Sequence, residues 1–576
     1  MRSSRIPALC LTIVLHLGLH AQGFFSGDLE LRNDYYVRDS LIGAAETPQY
    51  DFLKTSIDAW LQLNYSNPDI ELDAGIRLDF FQNSNLHNPG LAYSRVGIGR
   101  WFVRKRFDDL TLTGGVFYDQ FGSGLTFRAY EDRFLGIDNG IFGIHGSYDL
   151  RDVVTIKAFT GVRKNRLDLH KSLVSGVNAE GYWTVGENLT LAPGVSAVNR
   201  TIDRETMSNM VSQINGYPLE ERFQPKHNTA VFSAYNRLDY KRFSWFFEAA
   251  FKTREAQITP VSPNFINEPG NAFLTTFTYS RRGFGVTAQF KRTENFQFRN
   301  SPVDVENTTI LSGALNFIPP INRQNSLRLP ARYAPASQEI QEVGMSVDFT
   351  FKPHKKWAFN VSYSQIHDLN VTLGDFANDL IAPRSDIDGL RNHSNTLLFK
   401  ELYFDAEWRI NRRLKWMFGN QVAVYNQDFY EGPAGKPLAV FVYSPFTEFT
   451  WRMTNRQSLR FELQYQSTKL DFGQWVHALI EYNIAPKWSF SVQDMWNVQT
   501  NPKNELSVAR STKTGEASRI EGAGLHYFSV FTSFTHQRHR ISAAYVKQVA
   551  GIVCTGGVCR FEPAFSGVRL NLLTSF

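Results

Sequence analysis

Residues 568–576 read Val-Arg-Leu-Asn-Leu-Leu-Thr-Ser-Phe. Val568, Leu570, Leu572, Thr574 and Phe576 fall on one face of an extended strand, and Arg569, Asn571, Leu573 and Ser575 on the other, because successive side chains in a strand point to opposite sides. An aromatic residue carrying the terminal carboxylate fits the closing strand of an outer-membrane β-barrel, where the last ring anchors at the membrane–water interface. Val568, Leu570, Leu572 and Phe576 are therefore the expected C-terminal barrel signal. The reading to be tested along the rest of the chain is an all-β protein, a single large antiparallel transmembrane barrel.

The other end agrees. Arg2 and Arg5 precede an apolar run from Ile6 to Leu19, followed by His20-Ala21-Gln22, the pattern of a secretory signal cleaved after Ala21. Residues 1–21 are expected to be the signal peptide and 22–576 the barrel. Cys10 sits early in the apolar run, whereas a lipidated cysteine follows it. Beyond the signal there is no run of about 18 apolar residues, so no transmembrane helix is expected.

Mean hydropathy is −0.30, yet 14% of the chain is aromatic, with 47 Phe and 23 Tyr. A barrel requires that combination, since half of each strand meets lipid, half meets a wet lumen, and aromatic girdles mark both interfaces. A large soluble β protein accounts for alternation but not for the aromatic excess. The net charge of +6 is spread along the chain rather than gathered into a patch, so nucleic acid is not an expected partner.

Period-2 alternation recurs throughout. Ile70, Leu72, Ala74, Ile76, Leu78 and Phe80 alternate with Glu71, Asp73, Gly75, Arg77 and Asp79. The same form recurs at 343–352, 402–410 and 459–466. Eleven short turns follow in order: 66–68, 106–108, 150–152, 186–188, 240–242, 281–283, 353–355, 411–413, 454–456, 485–487 and 537–539. Between successive short turns a longer connection is expected, as at 120–140, 200–226, 256–271, 297–341, 366–393 and 500–517. Short turns on one side and long loops on the other are how outer-membrane barrels are built, with the short turns periplasmic. The alternation thus predicts about 24 strands, within roughly 20–26, and both chain ends on the periplasmic side. Because it begins at Phe25, a plug domain of the TonB-dependent kind is not expected ahead of the barrel.

Two segments carry candidate sites. In Cys554-Thr-Gly-Gly-Val-Cys559 the glycines suit a tight turn, which sets the cysteines across two strands for a disulfide in an exported protein. A metal site would need further ligands nearby, and none is present. Residues 119–139 are dense in glycine, aromatic and charged residues. Arg128, Glu131, Asp132 and Arg133 either form a lumen constriction, if the loop folds inward, or a solvated ion-pair cluster outside. Charges expected to face the lumen include Asp58, Glu71, Asp73, Arg77, Asp79, Asp348, Asp405, Glu407, Arg409, Arg460 and Glu462, whose simplest role is cross-strand pairing. No HExxH helix or GxSxG elbow occurs, and Gly122-Ser123-Gly124 lacks the latter's spacing. The thirteen histidines are scattered. No catalytic residue, metal ligand or cofactor is expected.

The chain resembles an uncharacterised family of outer-membrane barrel proteins from Bacteroidota, on Phe121-Gly-Ser-Gly-Leu-Thr-Phe-Arg-Ala-Tyr-Glu-Asp132, on Gly551-Ile-Val-Cys-Thr-Gly-Gly-Val-Cys-Arg560 and on the Ala21-Gln22 junction. The resemblance implies location and fold. Two functions then stand open: a passive or weakly selective, porin-like channel for polar solutes, since a wide barrel encloses a polar lumen, or a non-enzymatic barrel subunit of an envelope assembly for protein secretion or outer-membrane biogenesis. Expected partners are outer-membrane lipid, the barrel-assembly machinery during biogenesis and, on the second reading, envelope-complex proteins.

Overall fold

Ile76, Leu78 and Phe80 are exposed, while Arg77 and Asp79 between them are buried. That inversion of the soluble pattern, apolar side chains outward and ionised ones inward, runs round the molecule and is the mark of a barrel solvated by lipid. The computed structural model describes residues 23–85, 92–133, 135–259, 262–303, 313–369, 397–431, 439–468, 471, 473–499, 524–556 and 558–576. The expected signal segment 1–21 and the loop at 500–517 lie outside these, as does 366–393 from residue 370 onward.

The wall begins with β1 (Phe24–Tyr36), β2 (Thr55–Asn67), β3 (Leu72–Ser84), β4 (Tyr93–Phe107), β5 (Leu110–Phe117) and β6 (Ile141–Leu150). It continues through β7 (Val154–Asn165), β8 (Asp168–Gly181), β9 (Leu189–Thr201), β10 (Asn228–Tyr240), β11 (Phe243–Thr259) and β12 (Ser262–Arg281). Next come β13 (Phe284–Glu294), β14 (Gln341–His354), β15 (Trp357–His367), β16 (Leu397–Arg409), β17 (Leu414–Asn426) and β18 (Ala439–Arg452). It closes with β19 (Gln457–Thr468), β20 (Gln474–Ile484), β21 (Trp488–Gln499), β22 (His526–His536), β23 (His539–Gln548) and β24 (Phe565–Ser575). A short piece, Trp183–Val185, prolongs β8 along β9.

Each strand pairs antiparallel with the next, and β24 pairs back onto β1 from Asp28↔Ser575 to Tyr36↔Gly567. The result is a closed barrel of 24 strands. Closure matters because an unpaired edge would leave N–H and C=O groups in hydrocarbon at several kcal/mol each. Phe576 extends the seam, exchanging backbone hydrogen bonds of 3.1 and 2.9 Å with Gly27.

All eleven short turns join the strand pairs expected of them. Beside them an aromatic girdle forms, with Trp357 stacked on Trp408 at 5.3 Å and Trp488 packed on Phe534 at 4.6 Å. On the opposite rim the expectation of uniformly long connections needs correcting. Residues 256–271 are not a loop: β11 and β12 run on to Thr259 and from Ser262, pairing Glu255↔Glu268 and Gln257↔Ile266. The stretch carries Pro263 and Pro269, but β12 pairs with β13 only from Asn271 onward, and proline is tolerated on a strand whose N–H side is free. The β7–β8 connection is also short, two residues long at 166–167, with Arg166 at φ 60°. Glu71, expected to face the lumen, instead sits in the β2–β3 turn at φ 48°.

The seam makes a specific demand on one glycine. Gly567 has φ +156°, and a Cβ there would lie 2.0 Å from the Tyr35 carbonyl oxygen. Gly567→Val should therefore abolish the fast-migrating, heat-modifiable band that a closed barrel gives on electrophoresis without boiling. Gly551→Ala, which meets nothing within 4 Å, should leave the band unchanged.

Candidate functional site

The lumen is not an open polar tube. Residues 118–140 fold inward from the rim as two short hairpins, Asp119–Phe121 with Phe127–Ala129 and Glu131–Asp132 with Ile137–Asp138. Phe121, Leu125 and Phe127 are buried against wall residues Phe117, Phe159, Val174 and Val198, with Phe127 and Phe159 at 4.4 Å between ring centroids. Burial of each such side chain contributes about 1.5–3 kcal/mol, enough to hold the segment inside. The hairpin tip needs glycine. Gly122 has φ +52°, and a Cβ on it would meet the Glu248 carboxylate at 2.8 Å. That carboxylate accepts the Ser123 backbone N–H at 2.7 Å and so fixes the tip to β11.

The far end of this segment is fixed by charge. Arg77 of β3 is 1% exposed. Its guanidinium donates to Asp79 at 2.6 Å, to Glu131 at 2.6 Å and to Asp138 at 2.7 Å. Asp138 also pairs with Lys164 and accepts from the Tyr118 hydroxyl at 2.8 Å. Arg133 reaches the first strand, at 2.7 Å from Glu30, and returns to Glu131 at 2.8 Å. Burial pushes the Asp138 carboxyl up, but Lys164 and Arg77 outweigh it and hold the group below the usual carboxylate range.

A second segment, described at 295–303 and 313–340, enters from β13. Phe296 and Phe298 are fully buried in the same apolar cluster as Phe121 and Phe127. The base is closed by hydrogen bonds from the Asn295 and Phe296 N–H groups to Ile340 and Glu339, and by Arg299 at 3.6 Å from Glu339. Burial raises the Glu339 carboxyl, and Arg299 and Lys252 offset this only in part. Farther on, Arg323 lies 3.5 Å from Asp405 and 4.0 Å above the Tyr403 ring. Asn325 donates to Glu401 at 3.0 Å, and the Leu329 N–H donates to Gln464 at 2.8 Å.

The two segments join in the middle. The Arg128 N–H donates to the Leu315 carbonyl, and the Phe317 N–H to the Gly124 carbonyl, both at 2.9 Å. Arg128 stacks between Phe317 and Tyr130, 4.1 and 4.4 Å from their centroids. A continuous chain of contacts thus runs from Arg77 on β3 to Asp405 on β16. Those strands are 13 apart one way round the 24-stranded wall and 11 the other, so the bridge crosses the barrel near its diameter.

The four residues singled out on 119–139 take different places. Glu131 and Arg133 meet at the β1–β3 wall, and Arg128 faces the second segment. Asp132 accepts the Leu135 N–H at 3.0 Å within its own turn. The charged residues expected in the lumen that bear on the bridge are Arg77, Asp79 and Asp405. The hairpin Gly551–Thr555 with Val558–Glu562 sets Cys554 opposite Cys559 in register, and the Gly556 N–H at its tip donates to Gln324 of the bridge at 2.9 Å. Among the described residues no three His, Cys, Asp or Glu side chains converge as a metal site. Nothing in the alternation marked Glu248 or the path of 295–340. The available signal was the inward-phase apolar residues Phe159, Val174 and Val198, which a water-lined wall does not need.

Arg77→Met should cost about 3–5 kcal/mol, because it leaves buried carboxylates without their cation. Arg95→Met, which breaks an exposed pair with Asp168, should leave stability unchanged, as surface pairs contribute little. Urea unfolding of both variants in lipid checks the contrast.

The fold is similar to that of several solved membrane proteins. A mutant ferric enterobactin receptor from Pseudomonas aeruginosa is 9% identical, covering 96% of this chain and 82% of that one, with a TM-score of 0.44. A copper transporter is 8% identical, covering 96% and 80%, with a TM-score of 0.42. The P pilus usher translocation pore is 8% identical, covering 96% and 99%, with a TM-score of 0.41. No curated protein matches the chain. The family model that matches spans residues 2–576, and the chain belongs to that family of unknown function, DUF6029.

Proposed function

We propose that the protein is an outer-membrane channel for polar solutes whose own loops close it at rest. The observation that carries this reading is the bridge, in which two inward segments hydrogen-bond to each other while anchored on opposite sides of the wall. A polar, ion-paired interior suits hydrated solutes, and passage needs the bridge to move. The short turns would face the periplasm and the long connections the outside, in keeping with the asymmetry of the two rims. The disulfide between Cys554 and Cys559 is part of the proposal, supported by their facing positions in the hairpin that touches Gln324.

The first segment should also release in acid. Asp138 has its folded value depressed, so its contribution is complete above the unfolded carboxylate range, near about 4, and is lost as pH falls through the lower folded value. In planar bilayers the intact protein should conduct weakly at neutral pH and more strongly below about pH 4. Replacing 119–139 by a short turn should give a large, steady conductance at neutral pH. A wide-open conductance from the intact protein, or a sealed barrel after that replacement, would contradict the proposal.

A further inference from the structure

Away from the bridge, a cavity of about 380 Å³ opens on the loop-side rim. It lies between the β7–β8 hairpin, the helix Arg204–Asn215 and the first turns of the second lumen segment at Asn300–Val303. The helix is seated by Met207, Met210 and Ile214, which pack on Ala256 and Phe265 of the tall β11–β12 hairpin. That hairpin, expected from sequence to be a long connection, forms the back of the cavity.

Its chemistry is narrow. Of the twelve lining residues only Leu169 and Val303 are apolar, whereas sites for lipophilic ligands are lined mainly by apolar side chains. The charged members are already engaged. Lys171 pairs with Glu205 across the mouth, and Asp203 caps the helix by accepting from the N–H groups of Glu205 and Thr206. His170 Nε2 lies 3.2 Å from the Arg163 guanidinium, which has only donors, so that nitrogen accepts and the ring is neutral. What is left to recognise a ligand is neutral: amides of Asn165, Asn209 and Asn300 and hydroxyls of Ser172 and Ser301.

Asn300 is the decisive member. It is 1% exposed, and its Oδ1 is enclosed with no hydrogen-bond partner. A buried acceptor left unpaired is costly, and a ligand offering a hydroxyl donor would satisfy it.

We propose that this cavity binds a small uncharged polyhydroxyl compound, a sugar of one or two rings. Amide and hydroxyl groups from three separate elements converge on it, and the engaged charges at its mouth exclude net ionic ligands. Such a ligand would also touch the segment that crosses the lumen, since Arg299, next to Asn300, accepts through its carbonyl from Arg200 at 2.9 Å. The proposal goes beyond conduction and stands whether or not the lumen opens.

The test is saturation-transfer NMR on the full chain in detergent micelles, with glucose and maltose as probes and glutamate as a charged control. At least one sugar should bind saturably and glutamate should not. Asn209→Trp fills the cavity from an exposed helix position, so folding should survive, as heat-modifiable migration will report. That variant should weaken sugar binding roughly tenfold or more, and Asn300→Leu should do the same, because a site built for hydroxyl groups penalises their unpaired partners. Binding of neither sugar, binding of glutamate instead, or sugar binding untouched by Asn209→Trp would each overturn the proposal.

Discussion

Backbone hydrogen bonding in hydrocarbon is the constraint on which everything else here depends. A sheet in lipid has no water to satisfy an edge, so the first and last strands must find each other. Here β1 and β24 do so along nine register pairs, and Gly567 exists to let Tyr35 and Tyr36 approach. Once the ring is closed at 24 strands, the sense of every side chain follows. Each odd position meets lipid or lumen according to its strand, and a one-residue slip would reverse them all.

A ring this wide encloses more space than its wall side chains can fill. The chain solves that with itself. Two segments return from the rim and build, inside the barrel, the apolar core that a soluble protein would have at its centre. Phe121, Leu125, Phe127, Phe296 and Phe298 are among its fully buried members. Around that core several buried charges are set against counter-ions: Arg77 with three carboxylates, Arg200 and Lys252 with Glu255, Lys291 with Glu342. Removing one partner of such a set is costly while keeping both is nearly neutral. The bridge is therefore held at its ends by charge and in its middle by the shared apolar core, two backbone hydrogen bonds and a stacked arginine.

The wall was legible in the sequence because period 2 is a strong local signal, and turns such as Tyr240-Lys241-Arg242 and Arg281-Arg282-Gly283 punctuate it. The outward sense of Ile76, Leu78 and Phe80 was legible too. The bridge was less so. Residues 119–139 announced themselves by composition, but one sequence does not say which way a loop folds; that depends on Glu248 and Arg77, which lie far away in the chain and look like ordinary wall charges. The second segment, as described at 295–303 and 313–340, follows no regular period, since it is shaped by the surface it crosses. The hairpin at 256–271 was expected as one of the longer, less regular connections; its prolines sit where the strand has a free side, which one sequence does not reveal. The cavity beside it depends on that hairpin and was invisible for the same reason.

The central claim is that 119–139 and 315–333 are folded parts of the lumen rather than mobile loops. Amide hydrogen exchange on the protein in lipid nanodiscs measures this directly at Ser123, Arg128, Leu315, Phe317 and Leu329, whose N–H groups all have acceptors inside the barrel. Protection at these positions approaching that of the wall strands is the predicted result. Exchange at the rate of unstructured chain, with the wall strands still protected, would contradict it.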